Sequence, residues 1–381
     1  MIRNDSIPRI GILGGGQLGR MFLQNALSYD AEVFVLDPDP EAPCAKLATE
    51  FTCGSFNDFE TVLDFGRRVD VVTVEIEHVN TDALEKLQAE GVRVFPQPQI
   101  LRIIQDKGLQ KEFYQQNSLP TSDYKLVANN VELSALGDEW FPCFVKLRTS
   151  GYDGKGVTRI ADRSHCHLAF DAPMVVEKMI EVSTEFAVLV SRHQDGSIAL
   201  FPAVDMEFHP EANLVEFLSS PSVLSDEVLQ QANTIATKLV QTLDFIGLLA
   251  IEFFLDSKGN VLINEIAPRP HNSGHHTIEG NATSQFDQHF RSIAGLPAGC
   301  TDVVKPAVML NLLGAPGFSG PVWYDGLAEA VALPGVHVHL YGKKNTKPMR
   351  KMGHVTITAD TVEDAREIAR KVQSLLTVKS K

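Results

Sequence analysis

Residues 248–270 read LLAIEFFLDSKGNVLINEIAPRP. AIEFFLD and NVLINEI are strand-like runs flanking a turn that contains Ser257, Lys258 and Gly259, the pattern of a β-hairpin. A loop at 257–260 sets Glu252 directly opposite Glu265 on one face, with Cβ atoms about 4.5–5.5 Å apart. Two carboxylates so placed repel unless a cation neutralises them. A hard divalent cation held by both groups and by substrate phosphates would do so, and Mg2+ is the usual one. Asn264 would need a bulge to share that face. An exposed hairpin with an accidental acidic pair is the other reading.

Upstream, FPCFVKLRTSGYDGKGV (141–157) delivers Lys146 from a β-rich run into a loop with Gly151, Gly154 and Gly156 that carries Lys155. Glycines let backbone N–H groups approach phosphate oxygens, and lysines add point charge. The P-loop pattern G-x-x-x-x-G-K-[ST] is absent, and an ordinary hairpin explains the loop as well. MVVEKMIEVSTEF (174–186) reads as an edge strand with Glu177, Lys178, the apolar pair Met179 and Ile180, then Glu185. Adenine lying on it would find backbone donors and acceptors, and Glu185 would suit ribose hydroxyls. Alternating surface charge is the competing account.

The first hundred residues read β-α-β. RIGIL (9–13), EVFVLD (32–37), VDVVTVE (69–75) and VRVFPQ (92–97) are apolar runs of the kind buried in parallel sheets. QLGRMFLQNALSY (17–29) has apolar residues at 18, 21, 22, 26 and 29, and EHVNTDALEKLQAEG (77–91) offers Asn80 or Thr81 as a cap. An open doubly wound sheet follows. Within it, Gly14-x-Gly16-x-x-Gly19 and Asp37 have the spacing of an NAD-binding turn.

The segment 104–300 reads as α+β. A Gly- and Pro-rich passage, AGLPAGCTDVVKP, then leads to AVMLNLLG, HVTITA and a helix over 361–375. The expected domains are 1–103, 104–300 and 301–381. The net charge of −14 over 381 residues argues against general nucleic-acid or membrane-surface binding. Five cysteines form no C-x-x-C pair, which suits a reducing compartment. No apolar run nears the roughly 20 residues of a membrane span, and the N-terminus lacks a signal-peptide pattern. Against the acidic balance, GKKNTKPMRKMGH (342–354) holds no acid and, with Gly342, Pro348 and Gly353, reads as a shaped loop.

GILGGGQLGRM, TVEIEHV, SGYDGKG, NEIAPRPHNSGH, ATSQFDQHFR and YGKKNTKPMRKMGH together resemble the ATP-grasp enzymes. More narrowly, they resemble the N5-carboxyaminoimidazole ribonucleotide synthetase family, over essentially the whole chain. The resemblance implies an ATP-grasp fold: a Rossmann-like parallel N-terminal domain, a central ATP-grasp domain and a small C-terminal domain. It also implies a cytoplasmic homodimeric ligase of purine synthesis that uses ATP, Mg2+ or Mn2+, and bicarbonate. Bicarbonate attacks the γ-phosphate to give carboxyphosphate. That species, or the CO2 it releases, carboxylates the exocyclic amine of 5-aminoimidazole ribonucleotide. The product then passes to a separate mutase.

By the same resemblance Glu252, Glu265 and Asn264 hold the metal. Lys146, Lys155 and Lys178 offset phosphate charge, and Lys107 stands where an Arg usually reaches ATP. Gly151, Tyr152, Asp153, Gly154 and Gly156 form the phosphate loop. Glu177, Met179, Ile180, Glu185 and His209 hold the nucleoside. Tyr152 and Asp153 face the reacting amine, with Asp153 its proton acceptor, and Arg269 and His271 bind bicarbonate or carboxyphosphate. Gly16, Gln17, Leu18, Glu75, His78, Asn272 and Ser273 line the imidazole ribonucleotide site, and Lys343, Arg350 and Lys351 meet its 5′-phosphate. His276 and Asn281 depart from the family pattern. In this family the glycine loop binds no dinucleotide. The competing functions are another ATP-grasp ligase, such as a formate-dependent glycinamide ribonucleotide transformylase, and an NAD-binding oxidoreductase.

Overall fold

Glu50–Cys53, Val33–Asp37, Ile10–Leu13, Val71–Val74 and Arg93–Val94 lie side by side in that order, all parallel. Their apolar runs are continuous because both faces are covered. Ile10, Ile12, Val33 and Val35 pack with Leu18, Met21 and Phe22 of the helix Gln17–Ala26. Leu13, Val72 and Val74 pack with Val62, Leu63, Ala83 and Leu84 of the helices Phe59–Gly66 and Thr81–Ala89. Asn80 caps the latter, its side-chain oxygen accepting from the Ala83 N–H at 2.9 Å. The strand Glu50–Cys53 has no apolar run to announce it, being half exposed at the sheet edge. The computed structural model describes residues 7–149, 156–208 and 215–381.

A second, four-stranded antiparallel sheet runs Tyr124–Val127, Met174–Lys178, Cys143–Leu147, Val157–Ile160. Here the edge-strand reading of 174–186 is corrected. Met174–Lys178 is an interior strand, and Val182–Arg192 belongs to a different sheet. The charges misled: Glu177 is only 6% exposed because two lysines neutralise it, not because water does.

The third sheet has nine strands. Val261–Ala267, Gly247–Asp256, Val182–Arg192, Val204–Phe208 and Val215–Ser220 are followed directly by Ala307–Leu313, Lys351–Thr358 and Val336–Leu340, with Ile198–Leu200 beside Val182–Arg192. Leu218 pairs with Met309 and Ser220 with Ala307, so the central and C-terminal parts share one hydrogen-bonded ladder. The helix Val362–Leu375 covers its C-terminal portion through Ala365, Ala369 and Val372 on Val308, Val355 and Ile357. Under the central portion, Ala232, Ala236 and Leu239 of the helix Asp226–Thr242 pack on Val188, Leu249 and Ile251.

Leu218 is fully buried at this junction among Ala187, Val204, Met206 and Met309. Leu218→Ala is expected to cost about 2–5 kcal/mol, read by urea denaturation. Because the ladder is continuous, the two parts should still unfold in one transition.

Candidate active site

The hairpin Gly247–Asp256 and Val261–Ala267 pairs Glu252 with Glu265. It does so by a route the spacing did not foretell. The turn is one residue tighter than 257–260: Asp256 N–H donates to Asn260 O at 3.0 Å, with Gly259 at φ 83°. Near the tip, Leu255 faces Val261 and Phe253 faces Ile263, and the register shifts before Glu252 because Asn264 is an extra, bulged residue. The short turn and the bulge cancel. The bulge also turns Asn264 toward the site, where its Oδ1 lies 3.4 Å from Lys146 Nζ.

On the neighbouring strand Ala187 sits opposite Glu252, so Glu185, two residues away, shares that face. Three carboxylates therefore look the same way. Burial, with Glu265 and Glu185 adding to it, pushes Glu252 up to about 8. Burial also works against an ionised Glu265, but the Lys107 ammonium at 2.8 Å holds it below the ordinary carboxylate range. These oxygen donors suit a hard divalent cation. Among the described residues no three His, Cys, Asp or Glu side chains form a ready-made metal cage, so substrate oxygens would complete the shell.

The cations come from two elements. Asp106 caps the helix Lys107–Gln116 by accepting from Gly108 N–H at 2.7 Å, and Arg148 clamps Asp106 at 2.7 and 2.9 Å. That anchor presents Lys107 to Glu265 and Lys111 to Glu177, the latter at 3.3 Å. Lys146 reaches Glu177 at 3.1 Å from the strand Cys143–Leu147. Burial disfavours the charge on Glu177, yet Lys146 and Lys111 hold its carboxyl down to about 2. Lys111 escaped the sequence reading, although it follows Lys107 by one helical turn. Lys178 is not brought to this cluster: its strand alternates, and its ammonium sits 5.7 Å above the exposed-face ring of Trp140. Met179 is exposed and Ile180 half-buried where the chain crosses between the two sheets. Gly156 has φ 78°, and its carbonyl accepts from Leu147 N–H at 2.9 Å. Gly151, Tyr152, Asp153, Gly154, Lys155 and His209 lie outside the described residues.

The glycine loop differs from a dinucleotide site in one respect that decides its use. Gly16 N–H donates to Glu75, Leu18 N–H donates to Glu75 at 3.0 Å, and Gly15 N–H donates to Asp37 at 2.7 Å. The N-terminus of the helix beginning at Gln17, where a pyrophosphate would sit, already holds a protein carboxylate. A Cβ at Gly16 would lie 2.5 Å from Glu75 Oε1. Beyond Glu75, Glu77 pairs with Arg269 at 2.7 Å, and Arg269 Nη1 donates to Pro270 O at 3.1 Å while its Nε is buried without a partner. His78 is half-buried in the same segment. His271 Nε2 stands 3.8 Å from Glu252, and its Nδ1 meets Ser273 Oγ at 2.9 Å in the turn Asn272–Gly274. Arg269 and His271 thus span from the glycine loop to the carboxylates.

Only the first part of the basic stretch loops, with Gly342 at φ 75° and Met349 at φ 63° around the two-residue strand Asn345–Thr346, whereas Lys351, Gly353 and His354 lie on the strand Lys351–Thr358. Lys343 Nζ donates to Lys351 O at 2.7 Å, Arg350 Nη1 donates to Asn345 O at 2.7 Å, and Lys344 pairs with Glu41. A Cβ on Gly342 would come within 2.9 Å of Arg20 Nη1, so this loop abuts the first helix. Arg20 is a further cation the sequence reading passed over. His276 and Asn281 are buried, Asn281 donating to Thr301 O at 2.8 Å; they belong to the interior.

Three family models match consecutive stretches: a ribonucleotide synthetase preATP-grasp domain over 7–105, an ATP-grasp domain over 112–286 and a phosphoribosylaminoimidazole carboxylase C-terminal domain over 307–368. N5-carboxyaminoimidazole ribonucleotide synthase from Brucella melitensis is 38% identical over 357 residues, spanning 91% of this chain and 95% of that one. The chain belongs to the N5-carboxyaminoimidazole ribonucleotide synthase family. The synthetase structure from Thermotoga maritima is 40% identical, covers 98% of this chain and all of its own (100%), and superposes with a TM-score of 0.91. The synthase from Aspergillus clavatus, in complex with ADP and 5-aminoimidazole ribonucleotide, is 32% identical, with 97% and 98% coverage and a TM-score of 0.87. Against the phosphoribosylaminoimidazole carboxylases of yeasts and plants the chain spans about two thirds of their length, 64–68%.

The raised Glu252 carboxyl gives the site a pH signature. Below about pH 8 it carries a proton that a divalent cation bound there would have to displace. Mn2+ affinity with ADP present, followed by electron paramagnetic resonance, is expected to tighten about tenfold per pH unit from pH 6 to 8. Glu252→Gln should abolish the slope. For the metal-free fold the sign reverses. A folded carboxyl above its ordinary 4.5 favours folding below that value, and the contribution is lost as pH rises through about 8.

Proposed function

We infer that this protein carboxylates 5-aminoimidazole ribonucleotide to N5-carboxyaminoimidazole ribonucleotide, consuming ATP and bicarbonate and forming ADP and phosphate. The observation that carries this is the chain of contacts through Arg269. It ties Glu77, two residues beyond the Glu75 carboxylate that fills the glycine loop, to the segment holding His271, which in turn stands 3.8 Å from Glu252 of the Glu252–Glu265 pair. Nucleotide chemistry and acceptor recognition then meet at one guanidinium. Full-length membership of the synthase family, including a member bound to ADP and 5-aminoimidazole ribonucleotide, supports the same reading.

Lys107 and Lys146 offset the charge of the ATP phosphates, which is most of what phosphoryl transfer requires of a protein. Glu252, Glu265 and Asn264 would hold Mg2+, which when bound neutralises phosphate charge. Arg269 and His271 present donors to bicarbonate and to carboxyphosphate. Gly16, Gln17 and Leu18 form the floor of the acceptor site, held in shape by Glu75. Lys343, Arg350 and Lys351 meet the 5′-phosphate, Arg in a bidentate grip and Lys as point charges. Asp153 takes the proton released as the amine gains its carboxylate. The dinucleotide reading fails for want of an open helix N-terminus. Among the described residues no helix is long and apolar enough to cross a membrane. The reading extends to a cytoplasmic homodimer whose labile product goes to a separate mutase.

ADP release should require 5-aminoimidazole ribonucleotide and bicarbonate together, and formate should not replace bicarbonate. A formate-dependent release would move the chain to the transformylase reaction. Arg350→Ala removes a charged donor, a loss of roughly 1.5–3 kcal/mol. KM for 5-aminoimidazole ribonucleotide is therefore expected to rise about 10- to 150-fold, with KM for ATP little changed.

A further inference from the structure

Lys111 is only 3% exposed, and a lysine is almost never buried without a paired charge. Its ammonium lies 2.6 Å from Thr121 Oγ1, 2.9 Å from Ser122 Oγ and 3.3 Å from Glu177 Oε1. Three partners account for its three donors. The other oxygen of Glu177, Oε2, accepts from Ser122 Oγ and from Lys146 Nζ, each at 3.1 Å. One carboxylate is thus divided between two ammonium groups, with Ser122 touching both sides.

The division has an electrostatic consequence. A lone Glu177–Lys146 pair would be neutral, and Lys146 would have little charge to offer a polyphosphate. With Lys111 on Oε1, the triad carries one excess positive charge, and Lys146 is its most accessible member, reaching Asn264 across the site. Burial of Lys111, resisted by Glu177, lowers its ammonium to about 8. The Asp106–Arg148 clamp holds the helix that carries it.

We propose that Lys111 is a positioning residue for nucleotide binding: by occupying one oxygen of Glu177 it orients that carboxylate and leaves Lys146 charged and aimed at the ATP phosphates. This rests on the reading that Lys146 meets those phosphates.

Steady-state kinetics of the full chain test it. Lys111→Met should raise KM for ATP about 10- to 100-fold, the scale of losing a hydrogen bond to a charged group, while KM for 5-aminoimidazole ribonucleotide stays within about twofold. In a Glu177→Gln background the same change should add less than about threefold, because the residue it acts through has gone. Additive effects, or an equal rise in both KM values, would overturn the proposal. Lys146→Met separates the two levels. If it leaves KM for ATP unchanged, the reading of Lys146 fails and the proposal with it. If it raises KM and Lys111→Met does not, the proposal alone fails. Should Lys111→Met not fold, Ser122→Ala carries the test: KM for ATP is expected to rise about three- to tenfold, and no change overturns the inference.

Discussion

Carboxylates forced together on one sheet face organise this molecule. Glu185, Glu252 and Glu265 project from three adjacent strands, and like charges at such spacing are tolerated only with a counter-charge at hand. Lys107 supplies part of it at Glu265, while Glu252 answers by holding its proton. The neighbouring elements deliver cations to that face: the capped helix with Lys107, the four-stranded sheet with Lys146 and the strand Lys351–Thr358 with Lys351. The repulsion is not a flaw of the fold. It suits the face to a hard divalent cation.

What could be read from the sequence follows the range of the interactions. The parallel strands, the Asn80 cap and the pairing of Glu252 with Glu265 depend on local periodicity and turn chemistry, so they were legible. Even there the pairing survived a tighter turn only because the Asn264 bulge compensated for it. Glu177 was misplaced because a charged residue in a strand suggests solvent, and nothing nearby in sequence reveals that Lys111 and Lys146 bury it. Lys178 was expected beside Lys146, but adjacent strand residues point to opposite faces and its ammonium lies over Trp140. The approach of Arg20 to Gly342 and of Arg269 to Glu77 joins segments far apart in the chain. No periodicity encodes such contacts; the family resemblance supplied the roles but not the partners.

The shared nine-stranded sheet gives these contacts a common frame. Glu252 and Lys351 sit on strands of one continuous ladder, so the carboxylate face and the basic stretch hold a fixed distance through backbone hydrogen bonds. The four-stranded sheet with Lys146 and Glu177 is a separate ladder, joined to the first by the crossing at 179–181.

The plug in the glycine loop bears on how such motifs are interpreted and re-engineered. Three glycines and an acid at the next strand end specify a backbone shape, and that shape serves a dinucleotide or a carboxylate side chain equally well. Which one it receives is decided by a residue 59 positions downstream of Gly16. Converting this domain to bind a dinucleotide would therefore begin with Glu75, not with the glycines. A motif search that admits or rejects G-x-G-x-x-G loops should weigh the residue ending the fourth strand of the sheet along with the loop itself.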